Sequence, residues 1–179
     1  MYKYCTTEES ARRQQHLEQC LMGLMLTENY SQITISQICD RAGISRKSFY
    51  RYFSSKEGCL CALLDHAIFD GAARYLPSHG DPNSPGILYE QFFRYWKEKA
   101  PLLDALARNS LSTRLVERMA LYVMQEERDF NFLHIGSNND AHERSLYYTG
   151  GIMTLVLDWH KTGYAKSITK MAQILTKLI

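Results

Sequence analysis

The side chains best equipped for recognition chemistry crowd one stretch of the chain. Thr34, Ser36, Ser45, Arg46, Lys47, Ser48, Tyr50, Tyr52 and Lys56 are all hydrogen-bond donors within 23 residues. Residues 41–56 hold Arg41, Arg46, Lys47, Arg51 and Lys56 and no Asp or Glu, so a chain of formal net charge +2 concentrates its positive charge locally. Such a patch attracts polyanions, although a solvated basic face with no partner has the same composition. Arg46 and Lys47 can donate to guanine O6 and N7, and Ser45 and Ser48 can bond either base edges or phosphates. Tyr50, Tyr52 and Lys56 carry donors suited to phosphate oxygens, and Thr34 and Ser36 place hydroxyls near a helix N-terminus, where backbone N–H groups favour anions.

Other chemistries find little support. No phosphate-binding glycine loop, hydrolase elbow or metal-ligand set appears, so neither a catalytic residue, a metal nor a cofactor is expected, and the chain does not read as an enzyme. His16 and Cys20 share an i, i+4 spacing but lack the second ligand pair a zinc site needs. The five cysteines, Cys5, Cys20, Cys39, Cys59 and Cys61, are odd in number and all lie in the first 61 residues, which suits a reducing compartment better than a disulfide framework. They leave a thiol-based redox sensor as one rival reading, although Cys39 reads as core. The first 15 residues lack the apolar run of a secretory signal, and no apolar stretch is long enough to span a bilayer. A cytoplasmic protein with no membrane partner is expected.

The elements that must position these side chains are helical. Apolar spacings of three and four recur almost throughout, no strand-like alternation is sustained, and 45% apolar with 22% charged residues suits a soluble globular chain. An all-α fold of about nine helices is expected. Thr6 and Glu9 have capping-box spacing ahead of a first helix with Leu17, Leu21, Leu24 and Met25 on its buried stripe. Thr34 and Gln37 repeat that spacing before a two-turn helix that buries Ile35, Ile38, Cys39 and Ala42 and ends at Gly43. Ile44 turns inward and Ser45 caps a third helix, Arg46 to about Tyr52, with Phe49 facing the core. Two short helices joined by a glycine-containing turn make a helix-turn-helix, in which the second helix enters the DNA major groove.

Ser54 with Glu57 opens a long helix to about Tyr75, buried along Leu60, Leu63, Leu64, Ala67 and Ile68. Residues 77–86 read as a loop. Helices follow from Ile87 to Lys99, from about Pro101, from about Ser112 to Asp129, from about 141 to 161 and from 167 to 179, with a loop at 134–140 and a turn at Gly163. A DNA-binding domain over 1–56, with its motif at about 34–53, and a larger helical domain over 57–179 result.

Taken in order, Ile33-Thr34-Ile35-Ser36-Gln37-Ile38, Ala42-Gly43-Ile44-Ser45, Phe49-Tyr50-Arg51-Tyr52-Phe53 and Lys56-Glu57 resemble the TetR family of bacterial repressors, with matching spacings over roughly residues 10–60. The resemblance implies that Arg46, Lys47 and Ser48 read bases, that Tyr50, Tyr52 and Lys56 contact phosphates, and that Thr34 caps a helix near the backbone. Tyr52 stands where many members have His, keeping a hydrogen-bonding group without a pH response. It further implies a double-stranded DNA operator as partner and a homodimer through the last two helices, about 145–161 and 167–179.

In the larger domain the reading is mostly physical. Leu146, Gly150, Met153, Leu157 and Lys161 align on one helix, and each glycine of Gly150-Gly151 costs roughly 1 kcal/mol relative to Ala, a cost that close approach of another helix would offset. These helices could equally finish the monomer's own core. Tyr89, Phe93, Trp96, Tyr122 and Tyr148 are candidates to line a small-molecule effector pocket, with Phe92, Phe130, Phe132, Tyr147, His134 and Arg94 nearby in sequence; core packing accounts for the same aromatics. The function expected is that of a transcriptional repressor released from a palindromic operator by an effector. The alternative is a co-regulator of the same fold that binds another protein and not DNA.

Overall fold

The computed structural model describes residues 2, 3, 5–75, 85–125 and 140–178. The described residues form nine helices and no strand: α1 (Glu8–Met25), α2 (Ile35–Ala42), α3 (Arg46–Phe49), α4 (Lys56–Tyr75), α5 (Pro85–Glu98), α6 (Ala100–Arg108), α7 (Ser112–Gln125), α8 (Ala141–Lys161) and α9 (Ile168–Leu178). The all-α expectation holds. The chain divides into two compact units, Met1–Ala67 with Asp104–Leu111, and Ile68–Leu103 with Ser112–Ile179. The division falls within both α4 and α6.

The first unit is built on α1. Thr7, one residue later than expected, is its cap and accepts from the Ser10 N–H. Leu17, Leu21, Leu24 and Met25 are buried, as their spacing requires. Orphan groups beyond the end of α1 are satisfied by Asn109, whose Nδ2 donates to the Met25 carbonyl at 2.8 Å while its Oδ1 accepts from the Tyr30 N–H at 2.6 Å. Nothing in the local pattern around Asn109 marks this role, since its partners are about 80 residues away in sequence. The N-terminal segment lies across the unit: Lys3 N–H donates to the Tyr52 carbonyl, Tyr2 forms an isolated antiparallel bridge with Phe53, and the Tyr2 hydroxyl donates to Asp65. Glu18, 2% exposed at its side chain, meets His66 Nδ1 at 2.9 Å. On α4, Leu60, Leu63, Leu64, Ala67 and Ile68 are buried as expected. The helix opens on Ser55 and not on Ser54: the Ser55 Oγ accepts from the Gly58 N–H.

In the second unit α5 packs on α9, α7 on α8, and α5 also meets α8. The helix α5 starts at Pro85, so Pro85 and Gly86 belong to it and not to a loop. Proline suits a first helical turn because the N–H it lacks would have no partner there. The rest of the expected loop at 77–86 and nearly all of that at 134–140, with Phe130, Phe132 and His134, lie outside the described residues. Tyr89, Phe92, Phe93, Tyr95 and Trp96 are all buried. Phe93 meets Trp159 of α8 edge to face at 5.5 Å. Gly71 lets this packing form, because a Cβ there would lie 2.9 Å from the Tyr95 ring.

On α8 the expected stripe is corrected. Of Leu146, Gly150, Met153, Leu157 and Lys161 only Met153 is buried; the buried face is Thr149, Ile152, Met153, Val156 and Trp159. Spacing alone admits several faces, and the bulk of Trp159 and Ile152 selects this one. Trp159 is fixed by an Nε1–H donated to the Lys166 carbonyl and by Tyr164 against its ring at 4.8 Å. The chain between α8 and α9 turns at Gly163, as expected.

Candidate nucleic-acid interface

Each end of α2 is held by its own sequence. The Thr34 Oγ1 accepts from the Gln37 N–H and the Gln37 Oε1 accepts from the Thr34 N–H, a complete capping box. Such caps stabilise a helix by about 1 kcal/mol, and a two-turn helix has little else local to hold it. At the other end Gly43 adopts φ 66°, which lets the Ile44 N–H reach the Cys39 carbonyl at 3.0 Å. A residue with a Cβ would resist that conformation by about 1–2 kcal/mol. Ser45 follows directly, its Oγ accepting from the Ser48 N–H.

The helix α3 has only four residues, shorter than the expected Arg46–Tyr52, because the Arg51 and Tyr52 N–H groups bond three residues back to Ser48 and Phe49. That tightened turn suits Phe49 and Phe53, fully buried with rings 5.3 Å apart. With Phe49 anchored inward, Arg46 and Lys47 are exposed and Ser48 is half-buried. Tyr50, 45% exposed, rests its ring edge to face on Phe49, and Tyr52 is half-buried. Thr34 is exposed and Ser36 half-buried at the N-terminus of α2. Thr34, Ser36, Ser45, Arg46, Lys47, Ser48, Tyr50 and Tyr52 thus share one unit around two short helices, and Arg46 and Lys47 present their charge to solvent.

Lys56 is engaged differently. Its Nζ donates to the carbonyls of Tyr30 at 2.5 Å and Ile33 at 2.6 Å, reaches that of Ser31 at 3.5 Å, and lies 4.4 Å above the Tyr30 ring. Partial burial lowers its pKa, opposed in part by Glu57. Burial, then the hydrogen bond it donates to Glu57, pushes the Tyr30 phenol far above its usual pKa. Lys56 and Tyr30 together fasten the connection between α1 and α2. Arg41 lies over α1, where a Cβ on Gly23 would come within 2.9 Å of its guanidinium.

Three residues of α1 that the sequence did not assign to this site also belong here. Arg12, Arg13 and His16 line an open groove of about 320 Å³ with Ser48, Arg51 and Tyr52. Arg12 pairs with Glu8 and Arg13 with Glu9, both at i, i+4 and both well exposed. The pairs are legible in the sequence, but that α1 and the end of α3 share a groove is not.

The effector candidates sit in the second unit. Tyr89, Phe93 and Trp96 are buried on one face of α5, within the core, whereas Tyr122 on α7 and Tyr148 on α8 are half-buried. Thr149, next to Tyr148, is buried with no hydrogen-bond partner for its hydroxyl among the described residues. No group of three His, Cys, Asp or Glu residues able to hold a metal occurs among the described residues, and no described helix is long and apolar enough to cross a membrane.

Residues 22–63 match the model of the bacterial regulatory proteins of the tetR family. A 61-residue stretch is 38% identical to the HTH-type transcriptional regulator EthR of Mycolicibacterium smegmatis, covering 31% of this chain and 28% of that protein. Among solved structures, a TetR-family transcriptional regulator from Syntrophomonas wolfei superposes with a TM-score of 0.66 over 94% of this chain and 93% of its own, at 15% identity. The fatty acid degradation regulator FadR from Bacillus halodurans does so with a TM-score of 0.58 over 93% of each chain, also at 15% identity. Over the second unit these likenesses concern the fold alone.

Proposed function

We propose that this chain is a cytoplasmic transcriptional repressor of the tetR family that binds a palindromic DNA operator as a homodimer and leaves it when an effector binds, a reading supported by the match of residues 22–63 to the tetR-family model. The single observation that carries the DNA-binding part is the exposure of Arg46 and Lys47 on a helix fixed from beneath by Phe49 and from its start by Gly43 and Ser45. Rigid, outward-facing donors of this kind suit base edges in the major groove, and Thr34, Ser36, Tyr50 and Tyr52 supply phosphate contacts around them. Lys56, bonded to three carbonyls, serves the interface by holding α2 in place.

The exposed side of α8 supports a dimer. Tyr147 is 78% exposed, and a Cβ on Gly150 or Gly151 would meet nothing within 4 Å among the described residues. Two glycines on a helix face that the described residues leave open suit the close approach of a second copy, through α8 and α9. Two recognition helices about 34 Å apart would then read the two half-sites. An effector in the second unit acts through α4, which is continuous across the boundary between the units. Its coupling must reach about 1–3 kcal/mol to matter. The Thr149 hydroxyl, which has no partner among the described residues, is the polar group we assign to it, with Tyr122 and Tyr148, while Tyr89, Phe93 and Trp96 form the apolar wall.

Gel-shift titrations over a panel of operator variants test the central reading. Arg46→Ala with Lys47→Ala is expected to lose about 1–3 kcal/mol of discrimination at the bases concerned. Unchanged preference would refute base reading, and failure of the parent protein to bind DNA at any salt would favour the co-regulator.

A further inference from the structure

We propose that the groove between α1 and the end of α3 is a second phosphate seat, which takes the sugar–phosphate backbone flanking the bases read by α3, and that Glu8 and Glu9 occupy its guanidinium groups until DNA arrives. The proposal rests on the DNA-binding reading above. The groove brings Arg12, Arg13 and Arg51 together with the Ser48 and Tyr52 hydroxyls, beside the residues assigned to the bases. This is the donor set that phosphate oxygens take: planar guanidinium forks for the charge and hydroxyls for direction.

The carboxylates of Glu8 and Glu9 pair two of the groove's guanidinium groups while no ligand is bound. Arg12 bonds Glu8 at 2.6 Å with side chains 76% and 81% exposed, and Arg13 bonds Glu9 at 2.5 Å with side chains 63% and 75% exposed. Pairs so exposed are weak and exchange readily with another anion. A DNA phosphate brings the same paired oxygens with more neighbouring charge, so each arginine can trade its carboxylate for a phosphate with little rearrangement of α1. Glu9 lines the groove itself, and its charge opposes the incoming backbone. It therefore acts as a brake on affinity.

The test compares operator binding between about 50 and 200 mM salt for the full chain, for Arg12→Ala with Arg13→Ala, and for Glu9→Gln. All these side chains are exposed on one helix face, and a circular-dichroism melt verifies folding. If two phosphates are engaged, the slope of log affinity on log salt flattens by roughly 1.8 in the arginine variant, and its deficit against the parent shrinks about tenfold across that range. Sequence preference stays as in the parent, unlike that of the Arg46 and Lys47 variants. Glu9→Gln binds about twofold tighter, the scale of an exposed i, i+4 pair. Parent-like slopes in the arginine variant, with preference for the operator intact, overturn the groove and leave the DNA-binding reading standing. If those parent-like slopes come with a melting temperature raised by inorganic phosphate in the parent and not in the variant, the groove is a free-anion site. Loss of all DNA binding by the parent overturns both readings.

Discussion

Replacing Lys56 by methionine keeps the aliphatic stem and removes the ammonium, and the consequence depends on where that ammonium is used. In the structure it donates at 2.5 and 2.6 Å to two carbonyls and reaches a third at 3.5 Å. A hydrogen bond from a charged donor contributes about 1.5–3 kcal/mol. Two of them, discounted by about half because the site is partly open to solvent, amount to roughly 2 kcal/mol. Local opening of the segment from Asn29 through α2 should then be about 30-fold more populated. Hydrogen exchange read by mass spectrometry on peptides covering residues 29–45 measures this directly. The fluorescence of Trp96 and Trp159, both in the second unit, should be unchanged. Operator affinity falls, since Thr34 and Ser36 lose their fixed positions, while the salt slope stays that of the parent. Unchanged exchange with a slope flatter by about 0.9 would refute the tether and return Lys56 to a phosphate.

Three further outcomes are expected. Gly151→Ala should raise the stability of α8 by up to about 1 kcal/mol, because nothing lies near the added methyl group among the described residues; if a second copy packs on that face, sedimentation equilibrium shows a weakened dimer, and an unaltered dimer would move the interface elsewhere. In Ellman titration at neutral pH the half-buried Cys61 should react first and Cys5, whose thiol pKa is raised by burial and by Glu18, more slowly. Buried Cys20, Cys39 and Cys59, all with pKa values raised by burial, should stay silent until urea unfolds the first unit; rapid labelling of any of them would revive the thiol-sensor reading. Thr149→Val removes a buried hydroxyl that has no partner among the described residues, so chemical denaturation should show a gain of about 1 kcal/mol in the second unit. A loss would mean that the hydroxyl is bonded within the protein.

Much of the recognition element was legible because its constraints are local. A capping box needs Thr34 and Gln37 three residues apart, a left-handed turn needs Gly43, and a serine cap needs Ser45 ahead of Ser48; each acts within one turn of chain, where spacing is geometry. The same holds for the buried stripes of α1 and α4. The sequence by itself therefore determined that this chain is helical, where its first three helices begin to within a residue, and which face of α3 carries charge. Tertiary structure decided what depends on elements far apart in the chain. It set Lys56 on the carbonyls between α1 and α2, brought Arg12 and Arg13 to the groove beside Arg51, tied Asn109 to the end of α1, and turned α8 so that Ile152 and Trp159 face inward and Gly150 and Gly151 do not. The physical reason is that a long cationic side chain, or a helix with several apolar faces, has many near-equal local choices. Only the burial and hydrogen bonds offered by distant partners select among them.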